Sequence, residues 1–258
     1  MFVPLSDENP LRHIRWPVVT IALIALNVAI YGLELTPQGQ VLASSFAIVP
    51  SELYQVRVFG GNAGGVFDRL AVPEWLTLLS YMYLHGDLLH LGANMLFLWV
   101  FGDNVEDALG HGRFIVFYTV CGIAGALLHA FMLPLSKLPL IGASGAVAGV
   151  IGAYVLLHPR VRVWVLAFRF IPLRITAGLA LGAWIATQLV MVYLQSCGDS
   201  LQLGKCVWRA VGPSPMPDGV GDGVAWWAHI GGLLAGALLV VVMRRPGVTL
   251  LDRPPSTG

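Results

Sequence analysis

Six apolar stretches of membrane-spanning length constrain this chain more than any other feature: about Val18–Leu35, Leu88–Phe101 with flanks, Phe114–Leu133, Ser144–Leu157, Ile171–Leu194 and Val224–Met243. A run of roughly 20 apolar residues matches the hydrocarbon thickness of a bilayer, and in lipid every backbone polar group must be satisfied within the segment, so each stretch is expected to be a helix. Composition agrees, since 57% of residues are hydrophobic and 11% charged, against roughly a quarter charged in soluble domains. The expected fold is an all-α membrane protein, a bundle of six transmembrane helices. The first span is too long for a signal-peptide core and has no small-residue cleavage site close behind it, so it is expected to be retained.

The basic residues divide unevenly between the connections. Arg12, Arg15, Arg113, Arg160, Arg162, Arg169, Arg174, Arg244, Arg245 and Arg253 fall on one side, and Arg57, Arg69, Lys137, Lys205 and Arg209 on the other. The positive-inside rule then makes both termini cytoplasmic. Short connections and the lack of a low-complexity linker imply one domain: a cytoplasmic segment 1–17, a membrane domain 18–244 and a disordered tail 245–258. Two long loops, about Thr36–Tyr83 and Gln195–Gly223, are expected outside. The second carries Cys197 and Cys206, which are expected to pair because exposed thiols outside the cytoplasm tend to do so; Cys121 falls within the third span. A net charge of +1, with no basic stripe, excludes nucleic acid as a partner.

Polar residues inside lipid are costly unless they serve a site or a pathway, which singles out His85, His90, Asn94, Ser144 and His229. Counting back from the cytoplasmic exits, Ser144 precedes Arg160 by 16 residues and His229 precedes Arg244 by 15, or roughly 24 and 22 Å at 1.5 Å per residue. Serine and histidine therefore share one level, below the outer surface. His90 and Asn94, four apart, project from one helix face toward a similar level. A serine needs a base to act as a nucleophile, and an acyl intermediate needs donors for its oxyanion. His229 is the candidate base. Ser144 follows Gly142-Ala143 at a helix start, where its own N–H is free; that N–H, the Asn94 amide and a His90 ring nitrogen are candidate oxyanion donors.

Other site chemistries fit less well. No histidine is followed by glutamate, so the zinc-protease His-Glu-x-x-His pattern is missing, and His85 and His90, five apart, make a poor metal pair on a helix; neither metal nor cofactor is expected. Gly219-Val220-Gly221-Asp222 spells an aspartyl-protease signature but lies in a Pro-rich loop without a Tyr-Asp partner. Gly142-Ala143-Ser144-Gly145-Ala146 lacks the last glycine of the esterase elbow and the strand before it.

Four segments resemble the rhomboid family of intramembrane serine proteases. His85-Gly86-Asp87-Leu88-Leu89-His90-Leu91-Gly92-Ala93-Asn94 is similar to its second-helix pattern, and Gly142-Ala143-Ser144-Gly145 to its nucleophile motif. Ala228-His229-Ile230-Gly231-Gly232 with Gly236 is similar to its sixth-helix base and packing motif. Phe101-Gly102-Asp103-Asn104-Val105-Glu106-Asp107, continuing to Gly110 and Phe114, is similar to its second-to-third connection. The resemblance implies a six-helix bundle with a short fourth helix starting inside the membrane and water entering from outside. It also implies a Ser144–His229 dyad without a third carboxylate, and substrates that are membrane proteins cut in or near their transmembrane segments. The expected location is the bacterial inner membrane. Two positions depart from the pattern: Glu74-Trp75-Leu76-Thr77 replaces Trp-Arg in the first loop, and Ala148 stands where an aromatic often stacks on the base. Orientation of His229 must then come from elsewhere, Trp226 or a glycine backbone being candidates. The alternatives are a catalytically inactive relative that binds membrane proteins, and a six-helix transporter, for which an inverted repeat would be expected and none is seen.

Overall fold

A computed structural model of the chain describes residues 2–59, 72–167, 171–197 and 224–251. In chain order the elements are β1 (Phe2–Asp7), α1 (Val18–Glu34), α2 (Pro37–Phe46), α3 (Pro50–Phe59), α4 (Glu74–Ser80) with a 3-10 turn at Tyr81–Tyr83, α5 (Leu88–Leu109) and α6 (His111–Met132). They continue with α7 (Ser144–Leu157), β2 (Arg162–Ala167), β3 (Ile171–Thr176), α8 (Ala177–Cys197) and α9 (Trp226–Met243). The fold is mostly helical. Helices α6 and α9 are each long and apolar enough to cross a membrane, and α1 with α2 form a bent pair, turned by 118°, that passes the same test together. Helix α7 and the Ala177–Tyr193 part of α8 are apolar but shorter. Large apolar side chains point outward along α5 and α9, Leu89, Trp99, Leu238 and Val242 among them, as a bundle solvated by lipid requires.

At the centre α7 is buried nearly throughout, enclosed by α5, α6 and α9. It approaches α9 through bare backbone. A Cβ on Gly232 would collide with the carbonyl oxygen of Gly145, and one on Gly236 with that of Gly149. Glycine is required at both places, because close backbone contact replaces the hydrophobic drive that lipid cannot supply. Since Gly145 faces Gly232 and Gly149 faces Gly236, the two helices run parallel and in fixed register.

The small antiparallel sheet β1-β2-β3 corrects the all-α expectation. Its cause is legible locally: Val161, Val163 and Val165 are buried while Arg162 and Trp164 point out, the alternation of a half-buried strand. Val163 pairs with Ile175 and Val165 with Leu173. Ile171–Thr176, expected as the start of the fifth span, is therefore β3, and the helix begins at Ala177. The amino-terminal segment supplies β1, pairing Val3 with Leu166 and Asp7 with Val163. Residues 245–251, expected within a disordered tail, are docked: Arg245 N–H donates to Ala108 O at 2.8 Å and Leu251 N–H to Leu156 O at 2.7 Å. The first long loop is largely helical, as α2, α3 and α4. Cys206 and the Pro-rich loop lie outside the described residues, and the expected Cys197–Cys206 pairing with them; Cys121 is a buried free thiol.

At the sheet end, buried carboxylates tie the chain together. Helix α1 starts after Pro17 with no side-chain cap of its own. Its first N–H groups instead donate to Glu106 of α5, Val19 N at 3.0 Å and Thr20 N at 2.8 Å, with the Thr20 hydroxyl at 2.7 Å. Orphan donors of a helix N-terminus are thereby satisfied from a neighbouring helix. Asp107 takes the N–H groups of Arg12, His13 and Ile14 at 3.0, 2.7 and 2.7 Å. Asp7 accepts from Tyr154 Oη at 2.6 Å and Asn104 Nδ2 at 3.1 Å, pinning β1 to α7 and α5.

Candidate active site

Ser144 opens α7. The segment leading to it is held on both sides: Leu140 forms a two-way backbone bridge with Ile48, and Gly142 N–H donates to Tyr81 O at 2.9 Å. The Tyr81 hydroxyl in turn donates to Gly122 O on α6 at 2.7 Å. Gly142 has φ of 119°, a conformation that a side chain opposes. A Cβ there would also lie 2.7 Å from His90 Nε2 and 3.8 Å from Asn94 Nδ2, so the α5 side chains sit directly against the backbone two residues before the serine. Ala143 caps α7 without a side-chain hydrogen bond, which leaves the first N–H groups of the helix without intrahelical partners.

His90 and Asn94 occupy the first two turns of α5, whose N-cap Asp87 accepts from His90 N–H at 2.8 Å. Asn94 is buried and its Nδ2 has no partner; both ring nitrogens of buried His85 and Nδ1 of buried His129 are likewise unpartnered among the described residues. The His85 and His90 rings meet edge to face at 5.1 Å. Buried polar atoms are normally paired, and Asn94 Nδ2 and the His85 ring nitrogens are not paired within the described residues.

His229 lies in the first turn of α9 and is buried. The parallel glycine contact of α7 with α9 places Ser144 and His229 at the same end of the pair. No hydrogen bond joins them among the described residues; such bonds often tighten only once substrate binds. The contacts of His229 are made elsewhere. Its Nδ1 is 2.7 Å from Gln188 Oε1 on α8, Trp184 lies 5.9 Å away, and Trp226 meets it edge-on at 5.9 Å. Trp226 is thus a neighbour of the ring, as one sequence alternative has it, while Gln188 and His129 are absent from the sequence candidates. A signal for Gln188 exists: a lone amide within the apolar run Ile185-Ala186-Thr187-Gln188-Leu189-Val190, where polar side chains have to find a partner. Among the described residues no group of three or more His, Cys, Asp or Glu side chains is placed to hold a metal ion.

Fold and site together define a helical integral membrane protein with a serine at the N-terminus of a buried helix and polar side chains of α5 and α9 at the same end of the bundle. The family model for the rhomboid domain matches residues 72–246, and the chain belongs to the rhomboid family. It is 28% identical over 193 residues to rhomboid protein 1, mitochondrial, of Saccharomyces cerevisiae, covering 73% of this chain and 48% of that protein. It is 41% identical over 93 residues to rhomboid protease GluP of Bacillus subtilis, covering 35% of this chain and 18% of the relative. With rhomboid protease AarA of Providencia stuartii the identity is 29% over 167 residues, 59% of this chain and 56% of the relative. The chain thus spans about half or less of these relatives.

Proposed function

We propose that this chain is an intramembrane serine endopeptidase that cleaves membrane proteins in or near their transmembrane segments, with Ser144 as nucleophile and His229 as general base. The observation that carries the reading is the parallel α7–α9 contact through Gly145 and Gly232, which sets both residues at one end, beside His90 and Asn94. In the proposed reaction His229 takes the Ser144 proton as Oγ attacks the scissile carbonyl. The oxyanion is met by the Ser144 N–H, the Asn94 amide and a His90 ring nitrogen, and His229 then protonates the leaving amine. Water hydrolyses the acyl-enzyme by the same path in reverse. The site needs no metal or cofactor for this chemistry.

The proposal includes six spans, α1, α5, α6, α7, α8 and α9, in the inner membrane of a bacterial cell. Both termini are cytoplasmic, and the serine end opens to the outside. Labelling of purified protein with a fluorophosphonate, with the modified peptide identified by mass spectrometry, tests it: Ser144 is expected to carry the adduct, and Ser144→Ala to lose both the adduct and cleavage of a transmembrane substrate. Cleavage undiminished in Ser144→Ala overturns the reading.

A further inference from the structure

Gln188 is buried on α8, and its amide orientation is fixed by chemistry at both ends. Its Nε2 donates to the Trp184 carbonyl at 3.2 Å, and a backbone carbonyl can only accept. Its Oε1 therefore faces His229 Nδ1 at 2.7 Å. An amide oxygen can also only accept, so Nδ1 is the nitrogen that carries the hydrogen, and the lone pair is left on Nε2. Trp184, one turn before Gln188 on the same helix, lies beside the imidazole at 5.9 Å, and Trp226 closes another side at the same centroid distance. The ring is thus held by an acceptor and two aromatic walls where Ala148 offers no stacking surface.

Resting on the dyad reading above, we infer that Gln188 is a positioning residue for the reaction: its amide oxygen selects the His229 tautomer and aims Nε2 at the serine. The roles become those of a Ser–His–Gln relay in which the third member is neutral. A neutral acceptor orients the ring while adding no charge to a buried site, where an unpaired carboxylate would be costly. The titratable groups facing His229 are His129 of α6 and His90 of α5, neither of which supplies an acceptor to Nδ1 among the described residues.

Kinetics of Gln188→Met and Gln188→Glu against a transmembrane substrate, with fluorophosphonate labelling, test the assignment. Gln188→Met keeps length and shape but loses the amide; kcat is expected to fall about tenfold to a hundredfold with KM unchanged, the worth of one buried hydrogen bond to a developing cation. Gln188→Glu restores an acceptor. It is expected to recover kcat to within a few-fold, with the acid limb of its pH–rate profile moved to higher pH, because a carboxylate at Nδ1 favours the protonated ring. Wild-type kcat in Gln188→Met, or a Gln188→Glu enzyme as slow as Gln188→Met, overturns the inference. Nitrogen-15 NMR of histidine-labelled wild-type protein in bilayers reads it without substitution: neutral His229 should carry its proton on Nδ1, and a proton on Nε2 overturns it. The dyad reading fails separately, by persistence of labelling and cleavage in Ser144→Ala.

Discussion

The two ends of the helix bundle differ in how completely their buried polar side chains are paired, although Arg245 Nε at the sheet end is unpartnered among the described residues as well. At the sheet end, Glu106 and Asp107 are saturated, each carboxylate accepting several hydrogen bonds from chain segments far away in sequence. At the serine end, His85, Asn94 and His129 keep buried atoms without partners among the described residues. Polar groups that hold a fold together are stabilising only when satisfied, whereas groups reserved for a reacting species have to be left open.

The largest expected effect tests the open end. Ser144→Ala or His229→Ala alone should abolish detectable cleavage, a loss of about 10⁴-fold or more, with little further loss in the double variant because residues acting as one unit are non-additive. The melting temperature in detergent should scarcely change. Turnover measured on the single and double variants checks this.

Next comes the saturated end, where Glu106→Ala strands the Val19 and Thr20 N–H groups and the Thr20 hydroxyl in a buried place. A loss of about 3–5 kcal/mol is expected, seen as a lower unfolding midpoint in detergent, while any protein that remains folded should label at Ser144 at the normal rate. A stability equal to wild type would break the contrast between the ends.

Asn94→Ala should do the reverse. Removing an amide whose Nδ2 is unpartnered among the described residues should leave stability unchanged or raised, yet lower kcat about tenfold to a hundredfold with KM nearly constant, since an oxyanion donor acts in the transition state. A pure rise in KM would remove Asn94 from that role.

The smallest effect concerns pH. Burial at the sheet end, with Asp103 nearby, raises the Asp7 carboxyl from 3.8 to about 7 despite its hydrogen bond from Tyr154. A carboxyl whose folded value lies above its unfolded one contributes its stability in full below about pH 4 and loses it as pH rises through about 7. Thermal midpoints should therefore decline between about pH 4 and about 7, and Asp7→Asn should flatten that decline. An unaltered slope in Asp7→Asn would assign it to other groups.

Spans and site were legible in the sequence to different degrees. Ser144 and His229 could be brought to one depth by counting residues, because α7 and α9 are parallel and both end at arginine-bearing connections. His90 and Asn94 followed from helical spacing on α5. The sheet is not legible from apolar length, because Val161, Val163 and Val165 sit among arginines and read as a connection; only their alternation marks a strand. The span read as about Leu88–Phe101 runs on to Leu109 and buries Glu106 and Asp107. Carboxylates near a span end look solvated until the chain segments that they bind are known. Gln188 escaped because its partner lies 41 residues away, a distance over which no periodicity operates.

The glycine contacts between α7 and α9 also bear on how the protein answers to its lipid. Backbone locked against backbone at Gly145–Gly232 and again at Gly149–Gly236 cannot slide by a residue without driving a side chain into a carbonyl. A bilayer thinner or thicker than the bundle must therefore be accommodated by tilt, or by deformation of the lipid, with the helix pair moving as one rigid body. Hydrophobic mismatch then changes how deep the serine end sits before it changes the spacing between α7 and α9.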